Sequence, residues 1–76
     1  MKAKAAEKIA DIVENLRDII DELTQIKEDE EDDYEAMGED LQDSDAGQES
    51  QDLIDTIDEV NEKLSEVTDL LEELGY

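Results

Sequence analysis

The chain lacks cysteine, histidine, proline, tryptophan and phenylalanine. The absence of cysteine excludes disulfides and thiolate metal sites. Tyr34 and Tyr76 are the only aromatic residues, so the large side chains that usually fill a globular core are missing. With no proline and only Gly38, Gly47 and Gly75, little interrupts a helix. The remaining leucine, isoleucine and valine residues suit helix–helix packing, and the composition predicts an all-α protein.

These absences also exclude classes of function. Without histidine or cysteine no nucleophile–base pair is available, and acid–base catalysis by two carboxylates needs a pocket that a thin helical chain lacks. We therefore expect a protein that is not an enzyme and has no cofactor. No apolar run approaches the roughly 18 residues of a membrane span. The start, Met1 to Lys4, leads into an amphipathic pattern instead of a signal peptide, so we expect a cytoplasmic protein.

Acidic residues dominate the 76-residue chain, which is short enough to form one domain. There are 27 acids and 6 bases, for a net charge of −21. Residues 28–49 hold twelve acids and no base, whereas residues 1–27 hold six acids and five bases. Such a charge repels nucleic acid and anionic membranes and attracts basic protein surfaces. We expect a protein partner that is basic, with no direct binding to nucleic acid or membrane.

The first arm has apolar residues at alternating spacings of three and four, which predicts a helix over about residues 3–36. The same register continues through Lys27 and Glu30 to Tyr34 and Met37, so it favours a helix over disorder for the acidic run 28–33. Gly38 is then expected to end this helix in a left-handed conformation. The main row comprises Ala6, Ile9, Val13, Leu16, Ile20 and Leu23, with Ile12, Ile19 and Ile26 in a flanking row.

The second arm repeats this pattern and predicts a helix over about residues 45–74. Asp43, Ser44 or Asp45 supplies its N-cap. The connector, about residues 37–44, is polar, with Leu41 expected to anchor it. A connector this short makes the arms an antiparallel hairpin. The apolar row comprises Leu53, Ile57, Val60, Leu64, Val67, Leu71 and Leu74, widened by Ile54 and Leu70.

Both apolar rows are wider than one neighbouring helix covers, and a monomer would expose the remainder to water. We therefore expect a homodimer in which two hairpins form a four-helix bundle. A higher oligomer and a bundle completed by another protein are the alternatives. The expected oligomer core comprises Ile9, Ile12, Val13, Leu16, Ile19, Ile20, Leu23, Leu53, Ile57, Val60, Leu64, Val67, Leu71 and Leu74.

The acidic segment has two interpretations. It either keeps the protein soluble or imitates nucleic acid and occupies a basic groove. On one helix its carboxylates would fall about every 3 Å, against about 1.7 Å for duplex DNA, so a dimer would come nearer than one hairpin. Tyr34 is either part of the helix contact or an aromatic anchor for a partner. The candidate partner-binding residues are Glu28, Asp29, Glu30, Glu31, Asp32, Asp33, Tyr34, Glu35, Glu39, Asp40, Asp43 and Asp45.

A calcium loop is not expected in the connector. Counted from Asp43, the fifth position is Gly47 and the twelfth is Ile54, where the motif needs an oxygen ligand and a glutamate. The sequence therefore predicts no specific metal site.

The stretch from Tyr34 to Ser44, with Gly47 and the regular second arm, resembles a group of short acidic proteins encoded by phages and prophages of Gram-positive bacteria. That group has a proline where Gly38 stands and a more basic residue after the serine. Its members are mostly of unassigned function, so the resemblance implies no site residues. It does imply a phage–host setting, in which acidic proteins that block DNA-handling host defences recur.

Three functions follow as hypotheses. The first is an inhibitor that presents a DNA-like acidic surface to a basic host protein, such as a CRISPR effector or a restriction enzyme. The second is a structural or assembly protein whose apolar rows recognise other chains and whose acids serve only solubility. The third is an antitoxin-like protein that neutralises a basic toxin.

Overall fold

The computed structural model describes residues 3–75, so Met1, Lys2 and Tyr76 lie outside the described residues. The elements are helix α1 (Ala3–Ala36), the one-turn helix α2 (Glu39–Gln42) and helix α3 (Asp45–Gly75), and this part of the chain contains no strand. Helices α1 and α3 run antiparallel against each other and form a rod of 58 × 15 × 12 Å. The expected all-α helical hairpin is confirmed, and the acidic run 28–33 is helical.

The contact between the arms uses every third or fourth residue of each helix, as antiparallel packing of two helices requires. In α1 the contact row is the expected one, and in the turn Met37 continues it. The core is small, since among apolar side chains of the described residues only Val13, Ile54 and Ile57 are buried. The α1 row comprises Ala6, Ile9, Val13, Leu16, Ile20, Leu23, Lys27, Glu30 and Tyr34.

Helix α3 presents a different row to α1 from the one expected. The row that touches α1 is half polar, and the hydroxyls of Ser50 and Thr68 are among its most buried groups, each residue being 4% exposed. Thr68 donates to the main-chain oxygen of Leu64 at 2.7 Å, which satisfies its buried hydroxyl within the helix. Asn61 also lies in this row. The complete row is Gly47, Ser50, Ile54, Ile57, Asn61, Leu64, Thr68 and Leu71.

The turn between the arms differs from the expected one in two ways. Gly38 has φ −68° and ψ 163°, so it is extended and caps α2 instead of ending α1 in a left-handed conformation. Leu41 is 55% exposed and does not anchor the connector. The anchor is Gln42, whose side-chain nitrogen donates to the main-chain oxygen of Tyr34 at 2.9 Å. Hydrogen bonding of α2 to the end of α1 thus replaces the apolar anchor.

Gly47 sets how closely α3 approaches the turn. It is buried, and a methyl group added to it would overlap the main chain of Gln42. Ser44 precedes α3, and its hydroxyl donates to the main-chain oxygen of Leu41 at 2.5 Å. The absence of a side chain at Gly47 lets α2 and α3 meet within two residues of each other.

Candidate protein-binding surfaces

The charge of the rod is concentrated at the end that carries the turn. We call residues 21–63 the acidic half, which holds nineteen acids and two bases. Residues 3–20 and 64–75, which we call the open end, hold eight acids and three bases. The net charges of the acidic half and the open end are −17 and −5. Because α1 and α3 lie side by side, the acids of both arms share the same stretch of rod.

Most of the candidate partner-binding residues face solvent in the acidic half. Three are half-buried: Glu30, Glu31 and Tyr34. Glu30 faces α3, where it accepts a hydrogen bond of 2.5 Å from the hydroxyl of Ser50. The exposed ones are Glu28, Asp29, Asp32, Asp33, Glu35, Glu39, Asp40, Asp43 and Asp45.

The spacing of these charges is closer than the sequence predicted for one hairpin. The segment 28–49 folds back at α2 instead of running along one rod. Seventeen acids of the acidic half are exposed, and this half takes up about 30 Å of rod at 1.5 Å per helical residue. One exposed carboxylate therefore falls about every 1.8 Å, close to the one charge per about 1.7 Å of duplex DNA. The expectation of a sparse hairpin was wrong, because it counted only one arm at each level.

Lys27 is one of the two bases in the acidic half, and α3 holds it. Its ammonium group donates to Asp58 Oδ1 at 2.6 Å and lies 3.9 Å from Glu31 Oε1. The hydrogen bond that Lys27 donates to Asp58 raises the pKa of Lys27 above its ordinary value of 10.5, and partial burial opposes this increase. Lys27 is therefore charged at neutral pH, and its charge is paired with Asp58 of the same hairpin.

Tyr34 occupies the first of its two expected positions, as part of the helix contact. It lies in the contact row of α1, and it also lines an open groove of about 300 Å³ near the turn, with Glu31, Glu35, Gln51 and Ile54. A tyrosine beside exposed carboxylates offers a partner an apolar ring next to charged acceptors.

The two long sides of the hairpin differ in chemistry. In an antiparallel pair, the residues just after each contact position meet on one side and those just before meet on the other. The first side is polar: Arg17 forms an ion pair with Glu72, and Asn61 donates to Thr24 Oγ1 at 3.2 Å. Lys27 and Asp58 also meet there. Cross-helix contacts on this polar flank fix the register of the arms.

The opposite side is apolar and exposed. It gathers eight of the nine exposed large apolar residues of the described chain, each between 41% and 62% exposed except Val60 at 39%. Most of them immediately precede a contact residue in the sequence, as Ile12 precedes Val13, and this places them on one side of the rod. This apolar flank comprises Ile12, Ile19, Ile26, Leu53, Val60, Val67, Leu70 and Leu74. The sequence analysis had placed six of them in the expected oligomer core: Ile12, Ile19, Leu53, Val60, Val67 and Leu74.

Within residues 3–75, no group of three acidic side chains is arranged to hold a metal ion. None of the helices in that range has an apolar stretch that could span a lipid bilayer. Comparisons with protein-family models, with curated proteins and with solved structures found no match to this chain.

Proposed function

We propose that this chain is a non-enzymatic protein that imitates the charge of nucleic acid and blocks a basic, nucleic-acid-handling protein. The observation that carries the proposal is the charge spacing of the acidic half, about 1.8 Å per exposed carboxylate against about 1.7 Å for DNA. The resemblance to acidic phage proteins supports a host factor as the target, of the CRISPR-effector or restriction-enzyme kind.

The helical backbone supports the same proposal. The acids stand on helices whose spacing is fixed by packing, so little conformational entropy is lost when a partner binds. Such a surface binds a basic groove quickly through electrostatic steering. Its affinity falls steeply with salt, since each charge contact is screened.

The test replaces four exposed acids of α1 by their amides: Glu28→Gln, Asp29→Asn, Asp32→Asn and Asp33→Asn. Glu30 keeps its bond to Ser50 in this variant, so the helix contact is retained. The immobilised chain captures proteins from nuclease-treated bacterial lysate at about 50 and 200 mM salt, a range over which charge-driven binding weakens strongly. Each captured protein is purified and its binding to a labelled DNA duplex is measured with and without the chain.

The matched control removes four exposed acids from the open end: Asp11→Asn, Glu14→Gln, Asp18→Asn and Asp69→Asn. Both variants change the net charge equally. We expect the chain and the control to displace DNA from a basic protein at low salt, and the first variant to lose at least tenfold in potency. Equal loss in both variants, or capture that salt leaves unchanged, contradicts the proposal.

A second candidate function is supported by the apolar flank. Eight exposed apolar side chains on one side of a thin rod favour a homodimeric assembly protein, whose acids serve only solubility. In this proposal two hairpins complete a four-helix bundle, as expected from the width of the apolar rows. Ile19→Asp then abolishes function while the acid-to-amide variants do little. In the charge-mimic proposal the order of these effects is reversed.

A further inference from the structure

We infer that a second copy of this chain covers the apolar flank, and that the two hairpins lie antiparallel, each acidic half beside the open end of the other copy. This inference rests on the homodimer proposed above and adds its orientation and contacts. It is independent of whether the acidic half imitates nucleic acid.

The apolar flank is large enough for a specific interface. The row from Leu53 to Leu74 rises about 30 Å, and two helices of about 10 Å diameter give the flank about 600 Å² of flat area. Accessible area on an uneven surface is larger than flat area. A standard interface buries about 800 Å² per partner, so covering this flank reaches the range of specific contacts.

The apolar rows have the symmetry that a two-fold axis across the rod needs. The α1 row, Ile12 to Ile26, is centred on Ile19, and the α3 row is centred between Val60 and Val67. The hydrogen bonds from Asn61 to Thr24 and from Lys27 to Asp58 place Ile19 level with residue 66. The two centres therefore coincide to within about 4 Å along the rod. An axis at this level sets Ile19 against the partner's Ile19 and Ile12 against the partner's Ile26.

Apolar contact alone does not choose the orientation. A two-fold axis along the rods would set Ile19 against the partner's Val67 and Ile26 against the partner's Val60, which is an equally good match. Charge decides between the two. Parallel hairpins face a charge of −17 with another of −17, whereas antiparallel hairpins face −17 with −5. Because Coulomb repulsion scales with the product of the charges, the antiparallel arrangement is favoured.

The rim of the apolar flank adds a specific attraction in the same orientation. Lys8 lies one turn before Ile12, and Asp29 lies one turn after Ile26, and both are exposed. When Ile12 meets the partner's Ile26, Lys8 meets the partner's Asp29, twice in each dimer. In the parallel arrangement the run 28–33 would instead lie beside the partner's Asp52 and Asp55. The acidic run therefore gains the partner's Lys8 in one orientation and further acids in the other.

Single cysteines test the orientation, since the native chain has none. Purified Ile19→Cys is oxidised with diamide at micromolar concentration, and disulfide-linked dimer is measured on a non-reducing gel. Ser65→Cys is the matched control, because Ser65 is exposed at the same level of the rod on the polar flank. Ile12→Cys and Ile26→Cys are oxidised separately and as a mixture. Circular dichroism checks that each variant is helical.

We expect Ile19→Cys to cross-link at least tenfold faster than Ser65→Cys. The mixture of Ile12→Cys and Ile26→Cys should cross-link faster than either alone. Efficient linkage in the double variant Ile19→Cys/Val67→Cys, with none in Ile19→Cys, would show parallel hairpins and overturn the orientation. A helical monomer at about 100 μM by light scattering would overturn the homodimer itself. Neither result alters the DNA-displacement test, so the two proposals fail separately.

Discussion

At the scale of single residues, the two glycines of the turn have opposite requirements. Gly47 lies in the first turn of α3, where alanine would ordinarily gain about 1 kcal/mol of helix propensity. A methyl group there would overlap the main chain of Gln42, and such overpacking costs about 1–3 kcal/mol. We expect Gly47→Ala to lower the free energy of unfolding, measured by urea denaturation.

Gly38→Ala is the control for that substitution. A Cβ at Gly38 would meet nothing within 4 Å, and its φ of −68° suits any residue. This variant should be neutral or stabilise the chain by up to about 1 kcal/mol, by restricting the unfolded state. Stabilisation by both substitutions would show that the close approach of Gly47 to α2 is not needed.

Ser50 provides a second prediction at this scale. It is 4% exposed and donates to Glu30 Oε1 at 2.5 Å, which links the two arms near the turn. A hydrogen bond to a charged group contributes about 1.5–3 kcal/mol, so Ser50→Ala should lower the free energy of unfolding by about that amount. Ser65→Ala, at an exposed position of the same helix, should change it by less than about 0.5 kcal/mol. Similar values for the two variants would contradict the proposed link.

At the scale of the helices, the acidic run of α1 opposes the fold that carries it. Carboxylates three and four residues apart repel each other, at about 0.2–0.5 kcal/mol per pair in an isolated helix. We expect the four-amide variant of Glu28, Asp29, Asp32 and Asp33 to melt at least 4 °C higher than the native chain at low salt. The difference should shrink as sodium chloride is added, because salt screens exposed charges. A lower melting temperature in the variant would mean that these acids stabilise the helix.

The periodicity of the sequence predicted both long helices and the contact row of α1, but not the row of α3. In α3 two apolar rows lie side by side. The row with Leu53, Val60 and Val67 is the more hydrophobic one, so it was expected to face α1. The row that does face α1 also contains serine, asparagine and threonine. The turn decides between the rows, because Gly47 lets α3 approach Gln42 closely and Ser50 then faces Glu30. The first contact lies across the turn and the second joins two helices, so the periodicity within one helix indicates neither of them. Because Ser50 faces α1, the more hydrophobic row of α3 points to one side of the contact and becomes part of the apolar flank.

The charge density of the acidic half escaped prediction for a similar reason. Counting acids along the sequence treats the chain as one line, whereas the hairpin places Asp52, Asp55 and Glu59 beside residues 26–33. The acids themselves were evident from the sequence, but their number per ångström of rod depends on the fold. The inward orientation of Glu30 was expected from its place in the register of α1, whereas its hydrogen-bond partner, Ser50, became evident only from the fold.

At the scale of the whole molecule, the proposed dimer has a defined length. One hairpin is 58 Å long with a radius of gyration of 17.2 Å. The proposed two-fold axis crosses the rod within a few residues of its middle, so two antiparallel hairpins overlap almost completely. Small-angle X-ray scattering should give a maximum dimension within about 10 Å of the single hairpin, at 1.5 Å per residue of overhang. A dimension near twice that length would show end-to-end association and exclude the apolar flank as the interface.

Salt should affect the two proposed interactions of this molecule in opposite directions. Self-association brings together two chains of net charge −21, so added salt relieves their repulsion and tightens the dimer. Binding of the acidic half to a basic protein relies on attraction, so the same salt weakens it. Sedimentation equilibrium of the chain alone and DNA displacement from a captured basic protein, both measured between about 50 and 200 mM salt, separate these effects. A dimer that dissociates as salt rises would mean that contacts such as Lys8 with the partner's Asp29 outweigh the net repulsion. Partner binding that strengthens with salt would assign recognition to apolar side chains instead of the acids.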